Sequence, residues 1–444
     1  MSSSLSDRPE RSRVRYAILL MLFVASSINY ADRATLSIAG SDVSHQLGLS
    51  KIAMGYAFSA FGWAYALGQI PGGWLLDRFG SARVYLWSIV GWSAFTFLQG
   101  FVGAFDAAAA VVVLFLLRFL LGLAEAPSFP GNGRIVAAWF PTAERGTASA
   151  VFNSAQYFAT AMFAPITGWI TFRFGWPHVF FVMGVIGGAL AIVWARVVHS
   201  PADHPRVSAH ELEHIARGGA LVDMDRPSAT AANGPAPRRS YVRQLLGNRM
   251  LLGIYVAQYC ITTMTYFFLT WFPVYLVEQR GMSILRAGIA ASLPAICGFV
   301  GGVLGGLISD RLLRLGYSLN IARKVPIVAG MLLSTSMMLC NGVDSAAVVV
   351  GLMALAFFGK GVGSLGWAVV SDTSPKQIAG LSGGLFNMFG NTAGITTPIV
   401  IGYIVQWTHS FNGALIFVAA NALVAIVAYV FVVGDIKRVE LEAA

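Results

Sequence analysis

The chain has 444 residues; 56% are hydrophobic, 11% are charged, and the formal net charge is +10. A soluble globular protein carries about 25% charged residues, so this composition excludes that class. It specifies a polytopic membrane protein built from helices, which satisfy their own backbone hydrogen bonds in lipid.

A helix needs about 20 apolar residues to cross the hydrocarbon layer. Hydropathy predicts twelve such spans, at 16–39, 52–74, 84–104, 107–130, 146–171, 178–198, 249–277, 286–309, 325–342, 346–370, 378–406 and 411–433. The first apolar run, Tyr16 to Ala31, has no small-residue cleavage pattern behind it and continues into a charged pair, so it reads as a span and not as a signal peptide. A polar stretch from Ser200 to Asn248, with Pro201, Pro205, Pro227, Pro235 and Pro237, reads as a linker holding one short helix. The expected fold is therefore all-α, with twelve transmembrane helices in two pseudo-symmetric six-helix bundles. The predicted order is an N-terminal segment (1–15), a first bundle (16–198), the linker (199–248), a second bundle (249–433) and a C-terminal tail (434–444).

Orientation follows from the basic residues. With both termini cytoplasmic, twenty-three of the thirty Lys and Arg fall on the cytoplasmic side, and only Lys51, Arg173, Arg280 and Arg286 on the other. That asymmetry accounts for the positive charge without any nucleic acid. Cys260, Cys297 and Cys340 all lie in apolar runs with no metal spacing and read as small buried side chains.

Five ionisable residues interrupt the spans: Asp32, Arg33, Arg118, Glu125 and Lys360. A charge at membrane depth costs several kcal/mol, so it ordinarily lines a cavity and handles substrate or protons. Arg118 and Glu125 are seven apart, hence on one helix face. On the predicted boundaries Asp32 and Arg33 fall in the outer half of the membrane, Arg118 near the midplane and Glu125 in the inner half, an order suited to protons passing inward. Lys360 falls near the middle of its span with no acidic neighbour in sequence; Asp372, twelve residues on, is more than three turns away. The competing reading is that these charges are ion pairs that only hold helices together. Polar side chains on other spans add Tyr30, Tyr65, Gln69, Asn153, Gln156, Gln258, Tyr259, Thr262, Asn387 and Asn391. Their amides and phenols suit a polyhydroxylated solute, with helix–helix hydrogen bonding as the alternative. Three cations against two carboxylates favour an acidic solute and count against an exporter of cationic drugs. No paired catalytic group lies near a membrane face, so no enzyme is expected, and no cofactor.

His210-Glu211-Leu212-Glu213-His214 matches a zinc-protease string, but it lies in the linker, and Ser208 with Glu211 fits a capping box opening a short surface helix. The glycine-rich runs Gly298–Gly306 and Gly380–Gly394 lie within spans and read as close helix packing, and Gly361, Gly363 and Gly366 as loosening the span that carries Lys360.

One motif recurs at the same step of each half: Gly72-Gly73-Trp74-Leu75-Leu76-Asp77-Arg78-Phe79-Gly80 after the second span, and Gly305-Gly306-Leu307-Ile308-Ser309-Asp310-Arg311 after the eighth. The repeat, the twelve spans and the long central loop resemble the major facilitator superfamily. Within it, Asn29-Tyr30-Ala31-Asp32-Arg33-Ala34-Thr35-Leu36-Ser37-Ile38-Ala39 and Glu125-Ala126-Pro127-Ser128-Phe129-Pro130-Gly131-Asn132 resemble the span-one and span-four signatures of the anion:cation symporter family. Phe357-Phe358-Gly359-Lys360-Gly361, the run from Gly380 to Asn391 and Val433-Gly434-Asp435-Ile436-Lys437-Arg438 resemble the bacterial subgroup that carries D-glucarate and galactarate.

The resemblance implies proton-driven import of sugar-acid anions through a bacterial inner membrane by a monomeric carrier, with galactonate or a hexuronate as the alternative cargo. It implies proton sites at Asp32 and Glu125, cationic partners at Arg33 and Arg118, and substrate neighbours at Tyr65, Gln156, Trp367 and Asn387. Galactonate carriers have an asparagine where this chain has Lys360; charge matching assigns that lysine to the second carboxylate of a diacid. Asp77, Arg78, Arg145, Asp310 and Arg311 are expected to latch a cytoplasmic gate, or else to act as plain positive-inside anchors.

Overall fold

A computed structural model describes residues 12–141, 144–225, 239–375 and 379–440; a few side chains inside its helices, those of Asp77 and Arg145 among them, lie outside the described residues. The first half comprises α1 (Val14–Gln46), α2 (Lys51–Phe79), α3 (Ser81–Gln99), α4 (Ala107–Glu125), α5 (Ser128–Trp139), α6 (Arg145–Phe174) and α7 (Trp176–Val197). The linker carries α8 (Ala209–Arg217) and α9 (Arg239–Gly247), one helix more than expected. The second half comprises α10 (Arg249–Thr270), α11 (Phe272–Glu278), α12 (Ile284–Arg314), α13 (Leu319–Ser334), α14 (Ala346–Val362), α15 (Gly366–Thr373), α16 (Ala379–Thr408) and α17 (Asn412–Val427). Ten spans are both long and apolar enough to cross a bilayer. The other two, α2 and α6, have 29 and 30 residues and complete the twelve.

Local chemistry fixes the ends. Ser50, Asp106, Asn248, Ser283 and Ser318 each accept an amide from the first turn of the following helix, which satisfies donors the helix cannot use itself. Three spans are broken inside the membrane. The fourth breaks at Ala126–Pro127, between α4 and α5; the seventh at Trp271, before Pro273; the tenth at Gly363–Leu365, between α14 and α15. Proline lacks the amide that would continue the ladder, and glycine does not resist the turn.

With twelve spans, both termini lie on one face, joined there by the linker. On that face α8 is docked to the start of α1. Ser208 caps α8 by accepting the Glu211 amide at 3.2 Å, one half of the expected capping box. The Glu211 carboxylate does not complete the box. It accepts instead from the Ser12 hydroxyl (2.6 Å) and from the amides of Val14 (3.0 Å) and Arg15 (3.2 Å), closing the N-terminus of α1. Asp225, at the end of the docked segment, accepts from the amide and hydroxyl of Ser81 at the start of α3.

Apolar packing distinguishes the two faces. One buried cluster lies within the first half, around Trp92, Trp139 and Trp194. The other fills the second half and extends into the first through residues that include Leu36, Val43, Leu47, Met54, Phe58, Val102 and Trp176, toward the face opposite the termini. Bonds between the halves follow the same division. Ser37 donates to the Thr270 carbonyl, Lys51 pairs with Glu278, the Lys51 amide donates to Gln406, and Ser292 donates to the Ala161 carbonyl. Glycines bring the helices together there: a Cβ on Gly62 would lie 2.7 Å from the Gly394 backbone. Among the described residues, no hydrogen bond or ion pair joins the halves on the terminal face. Among the described residues, the molecule is clasped on one side and parted on the other.

Candidate substrate and proton site

The α1 helix runs 33 residues, past Ala39 to Gln46. Asp32 and Arg33 therefore sit near its centre, about 27 Å from its start, and not late in the span as the shorter predicted boundaries placed them. At that position the Arg33 side chain reaches Glu125, and Arg118 reaches the backbone beside it. Arg33 Nε donates to Glu125 Oε2 at 2.8 Å, with both side chains buried. Arg118 donates to backbone carbonyls of α1, those of Asp32 (3.5 Å) and Arg33 (3.4 Å). Glu125 holds one arginine, while Asp32, 1% exposed, has no hydrogen-bond partner on either carboxylate oxygen among the described residues.

Aromatic rings surround the guanidinium of Arg33, with Tyr30, Phe61 and Tyr65 at 4.7, 4.5 and 4.9 Å from its carbon. Ring faces are electron-rich and stabilise a desolvated cation. Tyr266, on α10 of the other half, is near enough to interact electrostatically with Arg33 and Glu125, and it donates to Asn391 at 3.3 Å. Neither Phe61 nor Tyr266 stood out in the sequence, where an aromatic in an apolar helix looks the same whether it packs or binds.

Lys360 is 6% exposed and has no carboxylate within 4.0 Å among the described residues. Asp372 pairs instead with Arg323 at 2.8 Å. The lysine ammonium faces two rings, Tyr157 at 5.7 Å and Phe357 at 5.2 Å. It also lies in the last turn of α14, where the helix dipole is negative. Glu125 is the last residue of α4, where the same dipole opposes a carboxylate and makes a cation such as Arg33 necessary. The fourth and tenth spans occupy equivalent places in the two halves, so Glu125 and Lys360 stand at matching breaks with opposite charges.

Between the halves is a narrow cavity lined by Tyr30, Gln156, Tyr157, Thr265, Phe268 and Phe357, among others. Tyr30 and Gln156 of the expected substrate set line it. Arg33 lies behind Tyr30 and Lys360 behind Tyr157 and Phe357. Tyr65 is buried beside Phe61, and Asn387 lies on α16 with its carbonyl bonded to Asn391. Trp367 stands beyond the break, half-exposed and edge-to-face with Phe386, and does not line the cavity. Of the expected gate, Arg78 lies over Trp74 and Phe79, and Asp310 is 4.0 Å from Arg323, each within its own half. Asp77 and Arg145 have side chains outside the described residues.

Two six-span halves joined on one side, with buried charges of both signs at broken helices between them, define a solute carrier. The Major Facilitator Superfamily family model matches residues 22–395, and the chain belongs to that superfamily. It is 61% identical to "Probable galactarate/D-glucarate transporter GudP" of Escherichia coli (strain K12), over 100% of this chain and 98% of that protein. It is 63% identical to the protein of the same description from Bacillus subtilis (strain 168), over 99% and 96%. Among solved structures, a bacterial homologue of the human lysosomal transporter Spinster, inward-facing and unoccupied, superposes with a TM-score of 0.71 at 16% identity, covering 95% of each chain.

Proposed function

We propose that the chain carries galactarate and D-glucarate into the bacterial cell together with protons, by alternating access, as a monomer in the inner membrane with both termini in the cytoplasm. On that orientation the parted face is the cytoplasmic one.

The observation that carries this reading is the division of buried charge between the halves: an arginine held by a carboxylate in one, and in the other a lysine with no carboxylate within 4.0 Å among the described residues. A diacid supplies what both cations need. Its first carboxylate goes to Arg33, with Arg118 beside it, and its second to Lys360. Tyr30, Tyr65, Gln156, Asn387 and, after closure around the substrate, Trp367 serve the hydroxyls. Arg33 is occupied by Glu125 until a proton reaches that carboxylate; protonation breaks the pair and frees the arginine. Asp32, whose carboxylate oxygens have no hydrogen-bond partner among the described residues, is the second proton site. Proton and anion then stabilise the same loaded state, which is symport in linkage terms. Asp77, Arg78, Arg145, Asp310 and Arg311 latch the cytoplasmic side when the carrier turns outward.

The test is counterflow and uptake of labelled galactarate in liposomes with and without a pH gradient. Accumulation above equilibrium only when the exterior is acidic supports proton symport. Uptake that ignores the gradient refutes it.

A further inference from the structure

Tyr157 touches both the cavity and the lysine. It belongs to α6 of the first half, yet its ring lies against α12 and α14 of the second. Its centroid is 6.0 Å from Phe299 and 6.4 Å from Phe357, and the Lys360 ammonium stands over its face at 5.7 Å. The slot that admits it exists because residue 298 is glycine; a Cβ there would lie 3.2 Å from Tyr157 and 2.7 Å from Phe357. Tyr157 also interacts electrostatically with Tyr30, the ring that faces Arg33. Arg33 and Lys360 thus each lie against a tyrosine that lines the cavity, and both tyrosines come from the first half.

We propose that Tyr157 is a specificity-determining positioning residue for diacids. Its ring fixes the ammonium of Lys360 at the cavity wall before substrate arrives and gives way to the second carboxylate when substrate binds. A lysine on a four-carbon stem has many rotamers, and holding one of them spares the substrate that ordering cost. An ammonium in lipid-depth surroundings also needs a partner in the empty carrier, and a ring face provides one that is weaker than a carboxylate and therefore displaceable. An acidic residue in its place would pair with the lysine permanently and exclude the anion. The inference rests on the assignment of Lys360 to a substrate carboxylate.

The experiment is a double-mutant cycle on the purified full-length protein, reading the Kd for galactarate. Tyr157→Leu is expected to weaken binding about tenfold, while Tyr157→Phe, which keeps the ring face, stays within about threefold. In a Lys360→Asn background Tyr157→Leu is expected to change nothing further. Size-exclusion profiles establish that each variant is folded, and Tyr157→Phe preserves the ring's volume should Tyr157→Leu fail to fold. If Lys360→Asn weakens binding and Tyr157→Leu weakens it by the same factor in both backgrounds, the positioning role is refuted and the lysine assignment stands. A loss in Tyr157→Phe as large as in Tyr157→Leu likewise refutes it, because the hydroxyl and not the ring is then responsible. If Lys360→Asn leaves the Kd unchanged, the lysine assignment itself falls and takes this inference with it.

Discussion

The two halves solve the same problem differently. Each breaks its fourth span at a charged residue, Glu125 in one and Lys360 in the other. In the first half the charge meets a full opposite charge 2.8 Å away, with three rings around the partner. In the second the charge has rings and a helix terminus but no carboxylate within 4.0 Å among the described residues. A paired charge can be switched by a proton, because protonating one member frees the other. A charge held only by rings has no such switch and waits for an anion. Under the proposed function, the difference would place proton coupling in the first half and anion selection in the second.

The largest effect expected comes from removing the switch. Glu125→Gln should cut the accumulation ratio of galactarate to about one while leaving exchange of internal for external galactarate measurable, since a neutral side chain mimics the protonated state permanently. Unchanged uphill uptake would remove Glu125 from coupling and erase the contrast. Next in size, Lys360→Asn should raise the KM for galactarate by about 10- to 100-fold, the equivalent of losing one hydrogen bond to a charged group at about 1.5–3 kcal/mol. The inhibition constant of the monoacid galactonate should move far less. Equal losses for both acids would defeat the charge-matching argument.

A smaller effect is expected from Gly298→Ala. The added Cβ presses on the Phe357 and Tyr157 rings at 2.7 and 3.2 Å, and the displaced rings should lower galactarate affinity by about threefold, in line with off-rotamer strain of about 0.5–1.5 kcal/mol. Titration of galactarate binding would show it. The smallest concerns the linker. Glu211→Ala leaves the amides of Val14 and Arg15 uncapped, a cost of about 1 kcal/mol, and should speed proteolytic cleavage near α8 while transport stays close to wild type. Acid should act in the same direction. Burial alone would raise the pKa of Glu211, but the Ser12 hydroxyl, the two amides and the Arg15 guanidinium outweigh it and hold the pKa below the ordinary value. Docking by this carboxylate is therefore complete at neutral pH, begins to weaken only below the ordinary glutamate value and is lost as the pH falls through the depressed one. Loosening of the linker already near pH 6 would show that another group controls it.

Hydropathy made the twelve spans, the six-plus-six division and the buried charges legible, because lipid penalises any other arrangement of such residues. What stayed hidden depends on contacts between helices. The Arg33–Glu125 pair was obscured because span ends drawn from apolar runs stop where polarity rises, whereas α1 continues through Ser41, Asp42 and Ser44 to Gln46. The break after Glu125 had a signal in Pro127, and the one after Lys360 in Gly361, Gly363 and Gly366; Pro273 marked the third and passed unused. Tyr157 and Tyr266 had none, since nothing along one helix reveals which ring faces a cation on another. Glu211 was correctly placed in a helical first turn beside Ser208, but its carboxylate serves a helix nearly two hundred residues away.

The apolar core that the halves share on the face away from the termini must be split whenever an unloaded carrier turns round, and split again for the next cycle. Solute bound inside helps to offset that cost; an empty site does not. If return of the vacant protein is the slow leg of net uptake, galactarate preloaded inside liposomes should accelerate entry of labelled galactarate from outside; equal rates with and without preloading would show that another step sets the pace.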